Sequence, residues 1–331
     1  KSSAASDVYK RQIINTTTGQ IYQSITEASR LTGINRNSIA AAVRRGIRCQ
    51  GCGWQLYDEV IEVEQSQSIQ NPIDYINQLM EQSSTNHAII IKDRLWIDFD
   101  SKVAFRYVPD DENNLEIVND VIASRGAGFK TIVIYQWEWE LKQHHVINLI
   151  RTQLGLFEQI INARDCWVFP IESNVYANFT NQYHLHKSVS SSVRFGLFHK
   201  DQLVAVIGLG KSRYDKSGYE LYRYCVKAGV LVRGGFTKLI KHSGVEHFVS
   251  YIDYAHFTGA GYMRSGFTEL PSTKPNYVYR KGDQILTRVA CQKHRLAKLL
   301  SNFDRSKSEY ENMIADGWTK LYDCGNLKVM Y

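Results

Sequence analysis

IINTTTGQIYQSITEASRLTGINRNSIAAAVRRGIRCQGCGWQLYD, residues 13–58, is the stretch from which the rest of the chain can be ordered. It predicts a short strand and turn, two short helices and a closing strand. Ser24 precedes Ile25-Thr26-Glu27-Ala28 with a Glu three residues on, the spacing of a capping box. Gly33 after Thr32 ends that helix, because glycine takes the left-handed C′ conformation at little cost. Asn35 then caps a second helix over Arg36–Arg45. Ile39, Ala42 and Val43 fall on its inner face, and Arg36, Asn37, Ser38, Arg44 and Arg45 on the other. Asn and Arg can pair in bidentate fashion with adenine and guanine edges, and Arg also holds phosphates. The arrangement predicts a helix-turn-helix whose second helix lies along double-stranded DNA.

Asn15-x-x-Thr18-Gly19, Tyr22-x-Ser24, Glu27-Ala28-Ser29, Gly33-Ile34-Asn35-Arg36 and Gly53-Trp54-Gln55-Leu56-Tyr57 together resemble a NUMOD-type helix-turn-helix module. Such modules are appended to phage and intron-encoded homing endonucleases, so the resemblance implies contact with a long DNA target.

Length, charge and cysteine usage bound what surrounds this module. With 331 residues the chain has room for two or three domains, and 44% hydrophobic residues suit a folded protein. No apolar run approaches the ~20 residues that cross a bilayer. Residues 1–12, KSSAASDVYKRQ, match nothing downstream and are taken as a foreign or truncated leader. Of six Cys only Cys49 and Cys52 form a close pair, and Cys291-x-x-His294 lies far off in a basic run. A structural zinc site would need a second pair at metal spacing, so the cysteines are expected to be reduced, in the cytoplasm of a bacterial or phage-infected cell. Charge is segregated: residues 61–170 hold 9 Lys/Arg against 16 Asp/Glu, whereas residues 171–331 hold 23 against 13. An acidic centre between basic flanks fits a carboxylate metal site carried by DNA-gripping arms.

Glu62–Asn71 is polar and without period, which predicts a linker. Beyond it come a helix from Pro72 to about Gln82, strands at 88–92, 95–100 and 103–108, and a helix over 115–125. A strand at 130–135 closes the series, ending at Gln136–Glu140. Helix, strand meander, helix, strand resembles the PD-(D/E)xK nuclease core, and within it the very-short-patch-repair (Vsr) branch. That resemblance implies Asp98 and Asp120 as catalytic carboxylates holding Mg²⁺, which would polarise a phosphate and generate hydroxide. Glu138, in the Trp-Glu that closes the strand, is a further catalytic candidate. Two departures stand out. Tyr107–Asn114 has no His where relatives carry a Gly-aromatic-Trp-His segment, and Arg106 stands where they have an acid.

From Ser192 the pattern predicts a hairpin over 193–199 and 203–210, a strand at 219–225 and a Gly234-Gly235-opened helix over 236–242. A strand at 248–253 and a helix over 258–264 follow, then strands at 277–279 and 285–288 that finish the sheet. This series, with Tyr262-x-x-x-Gly266-Phe267, resembles the GNAT acetyltransferase fold. Residues 150–331 as a block also resemble the domain that follows Vsr-like cores in phage homing endonuclease-like proteins. That setting implies DNA contact through Lys211, Arg213, Arg233, Lys238 and Lys241, with Lys216 and 293–298 as further cations and Tyr214, Tyr219 and Tyr222 interleaved. Coenzyme A would need a fuller glycine loop than Val232–Phe236 offers, so acetyl-CoA is not expected.

The expected fold class is α+β multidomain: a helix-turn-helix module (13–58), a linker (59–71), a Vsr-like, restriction-endonuclease-like α/β core (72–152) and a GNAT-like mixed α/β domain (153–331). The expected activity is metal-dependent hydrolysis of double-stranded DNA, with no membrane partner. Two alternatives stay open: a catalytically decayed DNA-binding protein, and a GNAT-type N-acetyltransferase with a DNA-binding appendage.

Overall fold

The structure is a computed structural model and describes residues 13–15, 18, 20–22, 24–45, 49–56, 71–83, 89–92, 95–98, 102–110, 114–200, 202–213 and 218–331. The leader and nearly all of the expected linker lie outside these residues. Two compact units form the chain, one built on residues 1–68 and the other on residues 69–199 and 203–331. Among the described residues no helix is long and apolar enough to cross a membrane.

In the first unit β1 (Ile13–Asn15) pairs antiparallel with both β2 (Ile21–Tyr22) and β3 (Trp54–Leu56). Helices α1 (Ile25–Thr32) and α2 (Arg36–Arg45) lie between β2 and β3 in sequence. Ser24 Oγ accepts the Glu27 N–H at 3.1 Å, and Gly33 at φ +74° closes α1, as the spacing predicts. Asn35 Oδ1 accepts the Asn37 N–H at 2.8 Å and so caps α2. Ile13, Tyr22, Ala28, Ile34, Ile39, Ala42 and Trp54 make one buried cluster from all of these elements. Cys49 and Cys52 exchange backbone hydrogen bonds of 2.9 and 3.0 Å across Gln50 and Gly51, both at positive φ, which makes a type I′ turn.

The second unit begins with α3 (Pro72–Ser83), β4 (Ile89–Lys92), β5 (Leu95–Asp98), β6 (Val103–Val108), α4 (Asn114–Gly126), β7 (Lys130–Tyr135) and α5 (Gln136–Gln153). The strands form a sheet in the order β4-β5-β6-β7, antiparallel except for β6 and β7, which are parallel and joined by α4. Alternation along β7 explains the layers. Ile132 and Ile134 pack with Ile76 and Leu79 of α3 and Trp139, Val146 and Ile150 of α5. Val133 and Tyr135 point to the opposite face, onto Ile117 and Val121 of α4. The strand expected to end at residues 136–140 instead stops at Tyr135. Gln136–Glu140 is the first turn and more of α5, whose buried Trp139, Val146, Leu149 and Ile150 follow helical spacing.

The remaining elements are β8 (Gln159–Asn162), β9 (Cys166–Pro170), α6 (Ser173–Tyr183), β10 (Val193–His199), β11 (Gln202–Lys211), β12 (Tyr219–Val226), β13 (Val230–Arg233), α7 (Gly235–Ser243) and β14 (Phe248–Asp253). They continue as α8 (Ala260–Arg264), β15 (Thr268–Leu270), β16 (Tyr277–Lys281), β17 (Gln284–Thr287), α9 (Lys293–Leu299), α10 (Glu309–Ala315), β18 (Thr319–Tyr322) and β19 (Asn326–Met330). Seven of the strands form a sheet ordered β15-β19-β14-β12-β11-β10-β9. Within it β12 and β14 are parallel, and their pairing runs only from Tyr219 to Leu221 against Phe248 to Ser250. Beyond that point the rings of Tyr224, Phe236 and Tyr262 pack on one another at 4.7–4.8 Å.

Two expectations are corrected here. Strands β16 and β17 do not finish the large sheet; they pair with β18 in a separate three-stranded sheet, and β15 and β19 complete the large one. Tyr279, Cys291, Leu296, Met313 and Trp318 give that excursion a core of its own, which is why its strands need no place in the large sheet. Residues 72–152 and 153–331 also share one compact unit. Ala255 and Cys324 enter the cluster around Val108, Val133 and Tyr135, and the Val133 N–H bonds the Ala255 carbonyl at 2.9 Å. Arg280 on β16 forms ion pairs with Asp110 and Glu140.

Candidate functional site

In the first unit α2 presents a polar face by default of its neighbours. Ile39 and Ala42 are fully buried; Asn37 lies opposite them and Arg36 and Ser38 flank it in the first turn, all three exposed. Arg44 and Arg45 continue the same helix to its end, with side chains outside the described part. The positive charge therefore stands at the start of a helix that is anchored from behind by Trp54 and Ile13.

Two of the expected nuclease carboxylates, Asp98 and Glu138, do not share one place. Asp98 ends β5 and pairs with Val103, which lies opposite Lys130 at the start of β7. Glu138 follows Tyr135 at the far end of β7, so five residue steps of strand separate the two ends, about 16 Å. Asp98 and Glu138 cannot hold one Mg²⁺ between them. Asp120 stands exposed on α4, just before the buried Val121. The Asp98 side chain itself lies outside the described part.

Glu138 belongs instead to a cluster that joins the two halves of the second unit. His256, in the turn after β14, offers Nδ1 to Asp253 Oδ2 at 2.8 Å and Nε2 to Glu138 Oε2 at 3.0 Å. The same Asp253 oxygen lies 2.8 Å from Nε2 of His186, which sits in the segment after α6. Asp253 Oδ1 accepts the Ala255 N–H at 2.9 Å, which fixes the carboxylate and leaves Oδ2 facing the two imidazoles. Lys142 Nζ, four residues on at a kink in α5, comes to 3.5 Å of Glu138 Oε1. His186 is held through its backbone: its N–H donates to His184 Nδ1 at 3.1 Å, and Arg223 Nη2 donates to its carbonyl at 3.2 Å. Glu138 and His256 are each 2% exposed, Asp253 is 18% and His186 35%, so the cluster opens to water on the His186 side.

These contacts set the charges. Burial opposes an imidazolium at His256, but Asp253 and then Glu138 overcome it and push the pKa up to about 10. Burial would raise the carboxyls of Asp253 and Glu138. That effect is outweighed only by several partners together, His256 with His186 at Asp253 and His256 with Lys142 at Glu138, which hold Asp253 well below and Glu138 below its ordinary value. Further along α5, the rings of His144 and His145 lie tilted against each other with centroids 3.8 Å apart, and burial brings the His145 pKa down to about 4.

Sequence reasoning did not single out His186, Asp253 or His256. The signals were His184-Leu185-His186 and Asp253-Tyr254-Ala255-His256, each a close pair of ligating side chains. The two pairs are 67 residues apart in sequence (His186 to Asp253), and only folding joins them.

The expected basic contacts divide in two. Lys211, Arg233 and Lys241 are exposed. Arg213 is exposed too but ion-paired with the buried Glu220. Lys238 Nζ donates to the carbonyls of Ala163 at 2.9 Å and Cys166 at 2.6 Å, an internal structural role for that ammonium. Tyr222 donates its hydroxyl to the Lys211 carbonyl, and Tyr214 and Lys216 lie outside the described residues. Comparison of the chain with protein-family models and with curated proteins gives no match.

Proposed function

We propose that this chain is a double-stranded-DNA-binding protein of the homing endonuclease-like kind, with α2 as the element that lies along the duplex. The observation that carries the proposal is the division of α2: Ile39 and Ala42 buried, Arg36, Asn37 and Ser38 exposed. Exposed Arg and Asn on a helix anchored from behind supply both phosphate contact and base-edge hydrogen bonding. Lys211, Arg233 and Lys241 are the cations of the second unit that suit an extended footprint. Linked weak contacts of this kind give high avidity without any single tight site.

Hydrolysis of the bound DNA with Mg²⁺ at Asp98 and Asp120 is a separable part of the same proposal, and Glu138 drops out of it because it sits at the other end of the sheet. The GNAT-like outline of the C-terminal half is taken as scaffold: a hairpin, a third strand, the glycine-opened α7 and a parallel β14. Aromatic rings pack where β12 and β14 part, which favours a structural use of that fold over acyl transfer. Fluorescence anisotropy with a labelled duplex tests the binding proposal. Arg36→Ala combined with Asn37→Ala is expected to weaken binding at least tenfold, roughly 1.4 kcal/mol or more, with unchanged far-UV circular dichroism. Equal affinity in the double variant would refute the role given to α2. Cleavage with Mg²⁺ that Asp98→Ala abolishes would support the hydrolytic part.

A further inference from the structure

We infer that His186, Asp253 and His256 form a binding site for one divalent transition metal ion of the zinc class. Their ligating atoms lie within 4.8 Å of one another, and both imidazoles aim a nitrogen at the same carboxylate oxygen, Asp253 Oδ2, at 2.8 Å. The inference goes beyond DNA binding and does not rest on it.

Three features mark a built site and not a chance meeting of side chains. The first is orientation of the carboxylate: the Ala255 N–H holds Asp253 Oδ1, so Oδ2 has its remaining lone pair directed toward the imidazoles. The second is orientation of a ligand from behind. Glu138 stands 3.0 Å from the outer nitrogen of His256, and carboxylates in that position fix the tautomer and ring direction of metal-binding histidines. Glu138 is itself buried, paired with Lys142 and located on a different element, so its carboxylate is stationed there by the fold. The third is immobilisation of the loop ligand. Arg223 donates to the carbonyls of both His186 and Lys187, pinning the segment that carries the His186 ring.

With the His256 Nδ1 proton released to solvent on binding, two imidazole nitrogens and one carboxylate oxygen suit Zn²⁺ and its first-row neighbours, whereas Mg²⁺ prefers an all-oxygen shell. Zinc–ligand bonds of about 2.0–2.2 Å in tetrahedral arrangement place neighbouring ligand atoms somewhat over 3 Å apart. Both 2.8 Å imidazole–carboxylate distances therefore need to open by about half an ångström or slightly more, at His256 as well as at the more exposed His186. A fourth position would face the solvent on that side, where water or a substrate oxygen fits.

The test uses the full chain, stripped with chelator and then titrated with Zn²⁺ against a competing indicator dye. Metal content is read independently by mass spectrometry after gel filtration. One Zn²⁺ per chain is expected, with affinity lowered at least tenfold in both His186→Ala and Asp253→Asn and unchanged in Cys49→Ser. Co²⁺ in place of Zn²⁺ should give visible d–d absorption that His186→Ala abolishes. His186→Ala removes a partly exposed ring and is expected to leave the melting temperature of the metal-free protein within a few degrees. Absence of retained metal, equal affinity in the His186 and Asp253 variants, or loss of binding in Cys49→Ser would each overturn the assignment. Mg²⁺ at millimolar concentration displacing the Zn²⁺ would overturn it as well.

Discussion

At the scale of single residues, the charge on His145 makes a pH-dependent prediction independent of the metal site. Burial, with His144 second, holds the His145 pKa at about 4 against an ordinary 6.5. The folded ring is neutral down to that pH, while the unfolded chain takes up its proton near 6.5. Between the two values the unfolded state binds more protons, so stability falls as pH drops from 6.5 to about 4 and this contribution levels off below. The ceiling is roughly 3 kcal/mol for a single group. Urea unfolding of His145→Leu is expected to show a shallower acid limb in that range than the parent. Parallel limbs would contradict the burial argument. Residue chemistry was legible from sequence where partners are local, as at Ser24–Glu27 and Asn35–Asn37. It was not legible at Glu138, whose partner His256 belongs to a segment far along the chain.

At the scale of elements, caps and glycines carry testable weight. Ser24→Ala removes an acceptor for the Glu27 N–H and should cost about 1 kcal/mol. Gly33→Ala meets no atom within 4 Å, so its cost, also about 1 kcal/mol, comes only from the left-handed φ of +74°. Gly208→Ala is a different case, since the added carbon would come within 2.3 Å of the Tyr176 hydroxyl. It should destabilise by about 1–3 kcal/mol through overpacking, seen as a lower denaturation midpoint. A Gly208→Ala protein as stable as the parent would show that the Tyr176 hydroxyl does not lie against β11 at Gly208. Elements with one clean period were read correctly: β6, β10 and β14 have the predicted bounds. Gln136–Glu140 was misread because Trp and Glu alternate there with period two for five residues. The continuation Leu141–Gln153 has helical spacing, and burial of Val146, Leu149 and Ile150 settles the matter in favour of a helix.

At the scale of the whole molecule, the two halves of the second unit share a core and a buried charge cluster, so they should unfold together. Chemical denaturation is expected to give one transition for residues 69–331, followed alike by Trp139 fluorescence and by a probe near Trp318. Arg280→Ala, which leaves Asp110 and Glu140 without their cation, should shift that single transition downward without splitting it. Two resolved transitions would restore the boundary at 152/153 that sequence suggested. That boundary looked natural because each half has its own sheet. What sequence could not display is that Ala255 and Cys324 complete the cluster around Val133, a contact between segments more than a hundred residues apart.

The central claim, that the chain grips duplex DNA through a cationic helix face, is tested most directly by the salt dependence of binding. Affinity for a duplex of several helical turns should fall steeply as salt rises from 50 to 200 mM, in proportion to the number of phosphates neutralised. Arg36→Ala should make the slope of log affinity against log salt shallower by about one. Failure to bind duplex at 50 mM salt, or a slope that Arg36→Ala leaves unchanged, would contradict it.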